Sequence, residues 1–387
     1  MKNHIVVHYS EIGTKGKNRK DFENRLAQNI KRFLKDYEIS IYKRYGKYIC
    51  KVEEQKSGEI VEILKFIPGI SYLGIAKKAK LEIADIKKKS YDLLSEKEFE
   101  TFVVDSKRSN KNFELKSQET NKKVGEHISK KLDKKVKLKN ADINLFIEIG
   151  EKEAFIYDEK FQGPGGLPIG SAGKVISSLS GGLDSPVASY LMMKRGCETI
   201  FGHLENQSLS KRKVKNKIEN LVKELSKFQS KSKLYIIPFE KIQRQITIYI
   251  PGRYRMIVYK RFMLRILNKI AKKEKAKAIV TGDSVSQVAS QTLENLNTIY
   301  KASELPVLAP LVGMNKNETI DVAKKIQTYE TSIKPYPDCC SYLVPKQPET
   351  YSDPEEVGQL ENKIENKEKL IEDAVKNSKF KKINYSV

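Results

Sequence analysis

The 387-residue chain is short of the groups that would place it in several common classes of protein. Its four cysteines, Cys50, Cys197, Cys339 and Cys340, are too few to staple a chain of this length, and none forms a C-x-x-C pair. With only four histidines beside them, a structural zinc site is not expected, nor any metal site built from protein groups alone. No stretch of about eighteen apolar residues occurs, which excludes a membrane-spanning helix. The amino terminus, MKNHIVVHYSEIG, has Glu11 and polar groups where a secretory leader needs an unbroken apolar stretch. A cytoplasmic protein without membrane association is expected. Two common nucleotide signatures are missing too. No G-x-G-x-x-G follows a strand and opens a helix, and Gly170-Ser-Ala-Gly-Lys174 lacks the spacing and the following hydroxyl residue of a Walker A loop.

Acidic residues are a further shortage, 49 against 73 basic ones, for a net charge of +24. A field of that sign favours polyanionic partners and speeds encounter with them. Lys and Asn are abundant in almost every loop, so part of the excess is compositional and charge alone points to nucleic acid only weakly. Hydrophobic residues are 39% of the chain, yet strand and helix patterns recur throughout, as in folded domains with heavily charged surfaces. A chain of this length exceeds one ordinary core, and two to three domains are expected.

Three stretches differ in pattern. Residues 1–73 begin with a strand at 4–9 and a basic loop containing Lys15, Lys17 and Arg19. A helix with Phe22, Leu26, Ile30 and Phe33 at helical spacing follows, then strands at 39–45 and 48–52 joined as a hairpin at Gly46-Lys47. Residues 74–165 repeat this α+β style, with strands at 102–104, 142–149 and 154–157 and a helix at 119–132. Between them, Lys107, Arg108 and Lys111 form a basic loop ending in Phe113. Such cations meet phosphates and such a ring stacks on a base, although a solvated turn has the same composition. Gly and Pro crowd residues 163–170 and mark a boundary. Beyond it, from 166 to 387, strands at 175–179, 199–204, 234–237, 277–281 and 307–308 alternate with helices at 186–195, 210–228, 256–273 and 316–326. That alternation argues for an α/β domain with a parallel sheet covered on both faces.

The strongest motif is Ser180-Gly181-Gly182-Leu183-Asp184-Ser185-Pro186, set between an expected strand and an expected helix. Its glycines let backbone approach a phosphate closely. The helix start offers unpaired N–H groups and the positive end of the helix dipole. Ser180 and Ser185 add hydroxyl donors, and Pro186 suits a first helical turn. Asp184 would repel bare phosphate, so its expected role is to hold Mg²⁺ against a pyrophosphate.

This loop resembles the PP-loop of the ATP pyrophosphatases. Within that superfamily, LSGGLDSPVASYLMMKRG at 179–196, VTGDSVSQVASQTLENL at 280–296 and LPVLAPLVGMNKNETIDVAKKIQTYETSIKPYPDCC at 305–340 are similar to the tRNA 4-thiouridine synthetases, the ThiI family. YSEIGTKGKNR at 9–19 is similar to the ferredoxin-like domain of that family, and 102–157 to its THUMP domain, so the resemblance covers nearly the whole chain. It implies three domains: ferredoxin-like (1–73), THUMP (74–165) and a PP-loop ATP pyrophosphatase domain (166–387). It places ATP near Ser178, Leu179, His203, Leu204, Lys260, Gly282 and Gln291, besides the loop itself. The carboxyl ends of parallel strands are where ligands bind in such sheets, which suits Leu179, His203, Leu204 and Gly282. Lys260 is expected on a helix whose other face carries Met263, Leu267 and Ile270, leaving its charge free for phosphate. Two departures stand out: Glu205-Asn-Gln-Ser-Leu-Ser210 replaces a Pro-containing stretch, and Gly282-Asp283 replaces the usual Gly-Glu.

Read from the residues alone, adjacent cysteines such as Cys339 and Cys340, in the loop Lys334-Pro-Tyr-Pro-Asp338-Cys-Cys, are more often buried or incidental than reactive. Lys334 would lower a thiol pKa there and Asp338 would raise it. The resemblance makes Cys340 the sulfur carrier, as a persulfide, with Cys339 assisting or resolving. It further implies tRNA as substrate, a cysteine desulfurase as persulfide donor, a link to thiamine biosynthesis and a homodimer as one possible assembly. Longer family members carry a rhodanese-like domain after this point, which residues 341–387 are too few to form, so direct loading of Cys340 is expected. The rival readings are another PP-loop tRNA thiolase and a non-catalytic THUMP-type RNA-binding protein.

Overall fold

The computed structural model describes residues 2–206, 212–335 and 347–385. The chain divides into two compact units, Met1–Pro168 and Ile169–Val387.

The first unit is a mixed sheet with helices against it. Strand β1 (Lys2–His8) leads through the basic loop into helix α1 (Arg19–Phe33), which buries Leu26, Ile30 and Phe33 at three- and four-residue spacing. Strands β2 (Ser40–Arg44) and β3 (Lys47–Glu53) form the expected hairpin, with Gly46 at φ +71°, a turn conformation glycine adopts without strain. Helix α2 (Ser57–Leu64), strand β4 (Tyr72–Ala79) and helix α3 (Ile83–Leu94) follow. Then come β5 (Thr101–Arg108), α4 (Ser117–Leu132), β6 (Lys135–Val136), β7 (Ile143–Ile149), β8 (Ala154–Tyr157) and β9 (Phe161–Gln162). Strand order is β2-β3-β1-β4-β8-β7-β5-β6, with β9 also on β4. Strand β4 pairs with β1 from Tyr72 to Ala76 and with β8 from Lys77 to Ala79, so one sheet runs through the whole unit. Residue 73, where the sequence suggests a boundary, lies inside this strand. Ile86, Phe102, Val124, Ile128 and Leu145 belong to a core that Phe113 joins.

The second unit is a parallel sheet with one antiparallel edge. It comprises β10 (Lys174–Ser178), α5 (Asp184–Lys194), β11 (Glu198–Glu205), α6 (Arg212–Gln229), β12 (Lys231–Pro238), α7 (Glu240–Tyr249), α8 (Arg255–Glu274), β13 (Ile279–Val280), α9 (Leu293–Tyr300), β14 (Val307–Leu308), α10 (Lys316–Lys325), α11 (Tyr329–Ser332), α12 (Pro354–Glu361), α13 (Lys367–Lys376) and β15 (Lys379–Asn384). Order across the sheet is β14-β13-β10-β11-β12-β15. The first five are parallel and β15 runs antiparallel to β12. Chain order climbs from β10 to β12 and then returns to β13 on the other side of β10. That reversal opens a crevice at the carboxyl ends of β10 and β13.

Helix α8 is buried along much of its length, through Ile257, Val258, Phe262, Leu267 and Ile270. The carboxyl-terminal segment forms two helices, broken before Asn366 at φ +54°. Glu361 of α12 is buried and takes fork-like hydrogen bonds from Arg261 (2.9 and 3.0 Å) and Arg265 (2.8 and 2.7 Å), pinning α12 to α8. Among the described residues no helix is long and apolar enough to cross a membrane.

Candidate functional site

Strand β10 ends at Ser178, and the Ser180–Ser185 loop turns directly into α5. Serine hydroxyls hold the loop in shape. The Ser180 N–H donates to Ser185 Oγ (2.9 Å), the Ser180 and Ser185 hydroxyls lie 3.1 Å apart, and the Gly182 N–H donates to Ser180 Oγ (3.2 Å). The two serines expected as phosphate donors therefore also brace the loop backbone. Gly181 is buried and Gly182 exposed. Pro186 stands in the first turn of α5, where its missing N–H costs nothing.

The loop borders a cavity of about 610 Å³ at the crevice. Ser178, Leu179 and Ser180 come from the end of β10 and the loop, and Asp184 and Ser185 from α5. His203 and Leu204 come from β11, Lys260 from α8, and Gly282 and Gln291 from beyond β13. The fold thus gathers around one cavity ten of the residues that the sequence assigns to ATP. Gly282 packs on the loop: a Cβ there would lie 2.8 Å from Ser185 N and 3.0 Å from the Asp184 carbonyl carbon. His203 is buried, and its Nδ1 lies 2.9 Å from the Leu179 carbonyl oxygen. A carbonyl only accepts, so Nδ1 carries the proton, and the ring ties β11 to the start of the loop. Asp184 is half-buried and accepts one hydrogen bond, from Gln287 Nε2 at 3.2 Å.

Lys260 corrects the sequence reading. Its ammonium is not a free charge: it donates to Asp283 Oδ1 at 2.8 Å, and both side chains are largely buried. Met263 shares its cavity-facing side rather than the opposite one, because residues three apart stack on one helical face. Asp283 also accepts from Gln291 Nε2 (3.2 Å) and the Tyr300 hydroxyl (3.0 Å). Burial pushes the Asp283 carboxyl up, but the Lys260 charge and the hydrogen bonds from Lys260, Thr281 and Gln291 outweigh it and hold it below the ordinary carboxylate range. Arg253, Asp283, Pro348 and Glu349 line the cavity but escape sequence reasoning. Only Asp283 left a signal, as the retained carboxylate of Gly282-Asp283.

In the first unit the basic residues divide. Lys17, Lys107 and Lys111 are exposed. Lys107 and Arg108 end strand β5 rather than lying in a loop. Arg108 turns inward, donating to the carbonyls of Phe113 (3.0 Å) and Leu115 (3.2 Å). Phe113 is buried in the core, so it is no stacking platform for a base. Arg19 donates to Glu23 Oε1 (3.0 Å) and the Tyr9 hydroxyl (3.2 Å), and Lys15 lies over the Phe22 ring. Cys339 and Cys340 lie outside the described residues. Cys50 and Cys197 are buried; burial pushes the Cys50 thiol up to about 12 and raises that of Cys197, which suits neither to nucleophilic work.

A strand, an SGGLDS turn and a helix at the reversal of a parallel sheet define a PP-loop nucleotide-binding protein. The chain belongs to the ThiI family. The family model described as thiamine biosynthesis protein (ThiI) matches residues 170–366, that of the ThiI ferredoxin-like domain residues 4–73, and that of the THUMP domain residues 81–159. Among its relatives, a probable tRNA sulfurtransferase of Caldanaerobacter subterraneus subsp. tengcongensis is 40% identical over 367 residues, covering 94% of this chain and 96% of that one. The Bacillus subtilis protein of the same name is 38% identical over 378 residues, covering 97% and 94%. A solved 4-thiouridine synthetase–RNA complex with bound ATP superimposes with a TM-score of 0.90 at 34% identity, covering 99% of this chain and all of that one.

Proposed function

We propose that this chain is an ATP-dependent tRNA sulfurtransferase that converts a uridine of tRNA to 4-thiouridine. The observation that carries the reading is the braced SGGLDS loop opening α5 beside a cavity of about 610 Å³, in a chain with both the ferredoxin-like and THUMP family regions. In the first half-reaction uridine O4 attacks the α-phosphorus of ATP and pyrophosphate leaves, so that a poor leaving oxygen becomes part of an AMP ester. The loop N–H groups and the start of α5 stabilise the phosphate charge. Lys260 gives one of its three N–H bonds to Asp283 and keeps two donors for the nucleotide.

Mg²⁺ fits this site, since it needs only one or two carboxylates when phosphates and water complete its shell. Asp184, half-buried on the cavity wall, would hold it, and bound Mg²⁺ would neutralise charge on the departing pyrophosphate. Lys17, Lys107 and Lys111 contact tRNA phosphates. Lys15, Arg19 and Arg108 shape the surfaces that present them.

In the second half-reaction the terminal sulfur of a Cys340 persulfide attacks C4 and AMP departs with O4, leaving a C4–S–S–Cys340 linkage. A second thiolate then attacks Cys340 Sγ, which releases 4-thiouridine and leaves a disulfide for a dithiol reductant to reopen. Cys339 is the neighbouring thiol for that step, the burial of Cys197 being unfavourable to it. A cysteine desulfurase charges Cys340. The test is reconstitution with tRNA, Mg-ATP, a pyridoxal-phosphate cysteine desulfurase and cysteine, read by mass spectrometry of nucleosides. Cys340→Ser should lose 4-thiouridine and keep pyrophosphate release. Thiolation surviving in Cys340→Ser but lost in Cys339→Ser would exchange their roles. A 2-thiolated product, or tRNA binding without pyrophosphate release, would overturn the reading.

A further inference from the structure

A buried polar atom stands unpaired at the nucleotide cavity. Gln291, in the turn before α9, lines the cavity and is 7% exposed. Its amide is oriented by Asp283. A carboxylate only accepts, so the 3.2 Å bond to Asp283 Oδ1 comes from Nε2, and Oε1 is left as the other end. Oε1 is buried and meets no donor among the described residues. A buried acceptor without a donor is costly, and folded proteins leave few of them. Lys260 stands beside it, because its ammonium and the Gln291 amide bond the same oxygen, Asp283 Oδ1. One carboxylate thus holds a donor and an acceptor next to each other. The Tyr300 hydroxyl donates to the second oxygen, Oδ2 (3.0 Å), and fixes the rotation of that carboxylate.

We propose that Gln291 and Lys260 together read the O4–N3 edge of the target uracil, Gln291 Oε1 accepting from N3–H and Lys260 donating to O4; this rests on the function proposed above. Phosphate oxygens only accept, so an acceptor gains nothing from the triphosphate. The adenine has a better place elsewhere. Leu204 of β11 and Met256, Ile257 and Met263 of α8 form an apolar part of the wall, which suits a ring. Strands β11 and β13 lie on opposite sides of β10, so Asp283 and Gln291, which follow β13, belong to the other flank of the loop. Uracil presents an acceptor and a donor side by side, the complement of Lys260 beside Gln291. Cytosine presents the reverse, an N4 amino group and a bare N3, and would set donor against donor and acceptor against acceptor. The last torsion of a glutamine side chain is soft, so Oε1 turns to an arriving N–H while Nε2 stays on Asp283. Adenylation at O4 strips the proton from N3. An amide is no base, so that proton leaves to water and the part played by Gln291 is recognition.

The experiment measures base discrimination apart from chemistry. Mass spectrometry of the wild-type product locates the target position, and tRNA is prepared with uridine or cytidine there. Binding of each is measured with Mg²⁺ and α,β-methylene-ATP, which fills the nucleotide site without turning over. We expect wild type to prefer uridine by about tenfold or more, and Gln291→Met, which keeps length and volume, to bind both alike. Affinity for α,β-methylene-ATP without tRNA should stay within about threefold of wild type in that variant. A larger loss would put Gln291 against ATP and overturn the proposal. Tyr300→Phe loosens Asp283 but keeps the acceptor, and should retain the preference for uridine. Its loss in both variants alike would reduce Gln291 to a support for Asp283, which also overturns the proposal. So would a wild type without preference, or a full preference in Gln291→Met. If Gln291→Met does not fold, Gln291→Leu takes its place with the same outcomes. A wild-type enzyme that releases no pyrophosphate with tRNA and Mg-ATP, or makes no 4-thiouridine, would instead refute the underlying functional reading.

Discussion

Gly282→Ala tests whether the nucleotide loop is held in place from behind. A Cβ at 282 would lie 2.8 Å from Ser185 N, 3.0 Å from Asp184 C and 3.1 Å from Ser185 Cα. All three are backbone atoms in the first turn of α5, so no rotamer change relieves the clash. Comfortable contact is about 3.5 Å, and α5 or the end of β13 must retreat by roughly half an ångström. Overpacking of this kind costs about 1–3 kcal/mol. In a unit of this size each kcal/mol lowers Tm by about 2–4 °C, so a drop of about 2–12 °C is expected by scanning calorimetry. The displaced atoms belong to the turn that, on the proposed function, faces the phosphates, where one lost preorganised donor costs about 10²–10³ in rate. Pyrophosphate release with saturating tRNA and Mg-ATP should fall by about tenfold or more. Wild-type Tm together with wild-type pyrophosphate release would refute the packing argument. A lowered Tm with unchanged kinetics would refute its link to catalysis.

Asp184→Ala should lower pyrophosphate release by about 10²–10³ while tRNA affinity stays near wild type; a titration of labelled tRNA alongside the rate assay checks both. Replacing Lys107 and Lys111 with alanine should reduce the slope of log affinity against log salt by about 0.7–0.9 per lost phosphate contact, and an unchanged slope would return them to solvated side chains. In the first unit, burial pushes the Glu148 carboxyl up, but hydrogen bonds and charge from His8 and Lys47 outweigh it and lower it to about 2. Its folded pKa lies below its unfolded one, so the stability it contributes is present above about 4.5 and lost as pH falls toward about 2. Urea midpoints between those pH values should therefore rise less steeply with pH in Glu148→Gln than in wild type.

The loop was legible because its meaning is local. Six consecutive residues, a strand before and a helix after specify an anion site without knowledge of the remaining fold. His203, Lys260, Gly282 and Gln291 came from family resemblance, and the sheet reversal supplies the physical reason they meet. Arg253 and Glu349 were illegible because they come from separate segments brought to the cavity only by packing. Lys260 was misread for a related reason, since helical spacing shows which side a residue takes and not who else is there. Phe113 shows the limit of composition. An aromatic at the end of a basic run looks exposed, yet the Arg108 bonds to the Phe113 and Leu115 carbonyls fold that run back over the core. Strand β15 escaped notice because Lys379, Lys381 and Lys382 mask its pattern, leaving Ile383 as its buried residue.

Strand β4 bears on how the amino-terminal unit can be cut and recombined. Its residues from Tyr72 to Ala76 lie along β1, while its opposite edge takes β9 at Tyr72 and Leu73 and β8 from Lys77 to Ala79. The two family regions that meet there, 4–73 and 81–159, leave most of this strand to neither. A fragment ending at 73 bares the ladder of β1, and one starting at 81 bares that of β8. Open ladders recruit strands from other chains. Chimaeras that swap one region for a relative's would therefore remain monodisperse only if the junction falls outside 72–79, and fragments cut within it should aggregate or exchange strands.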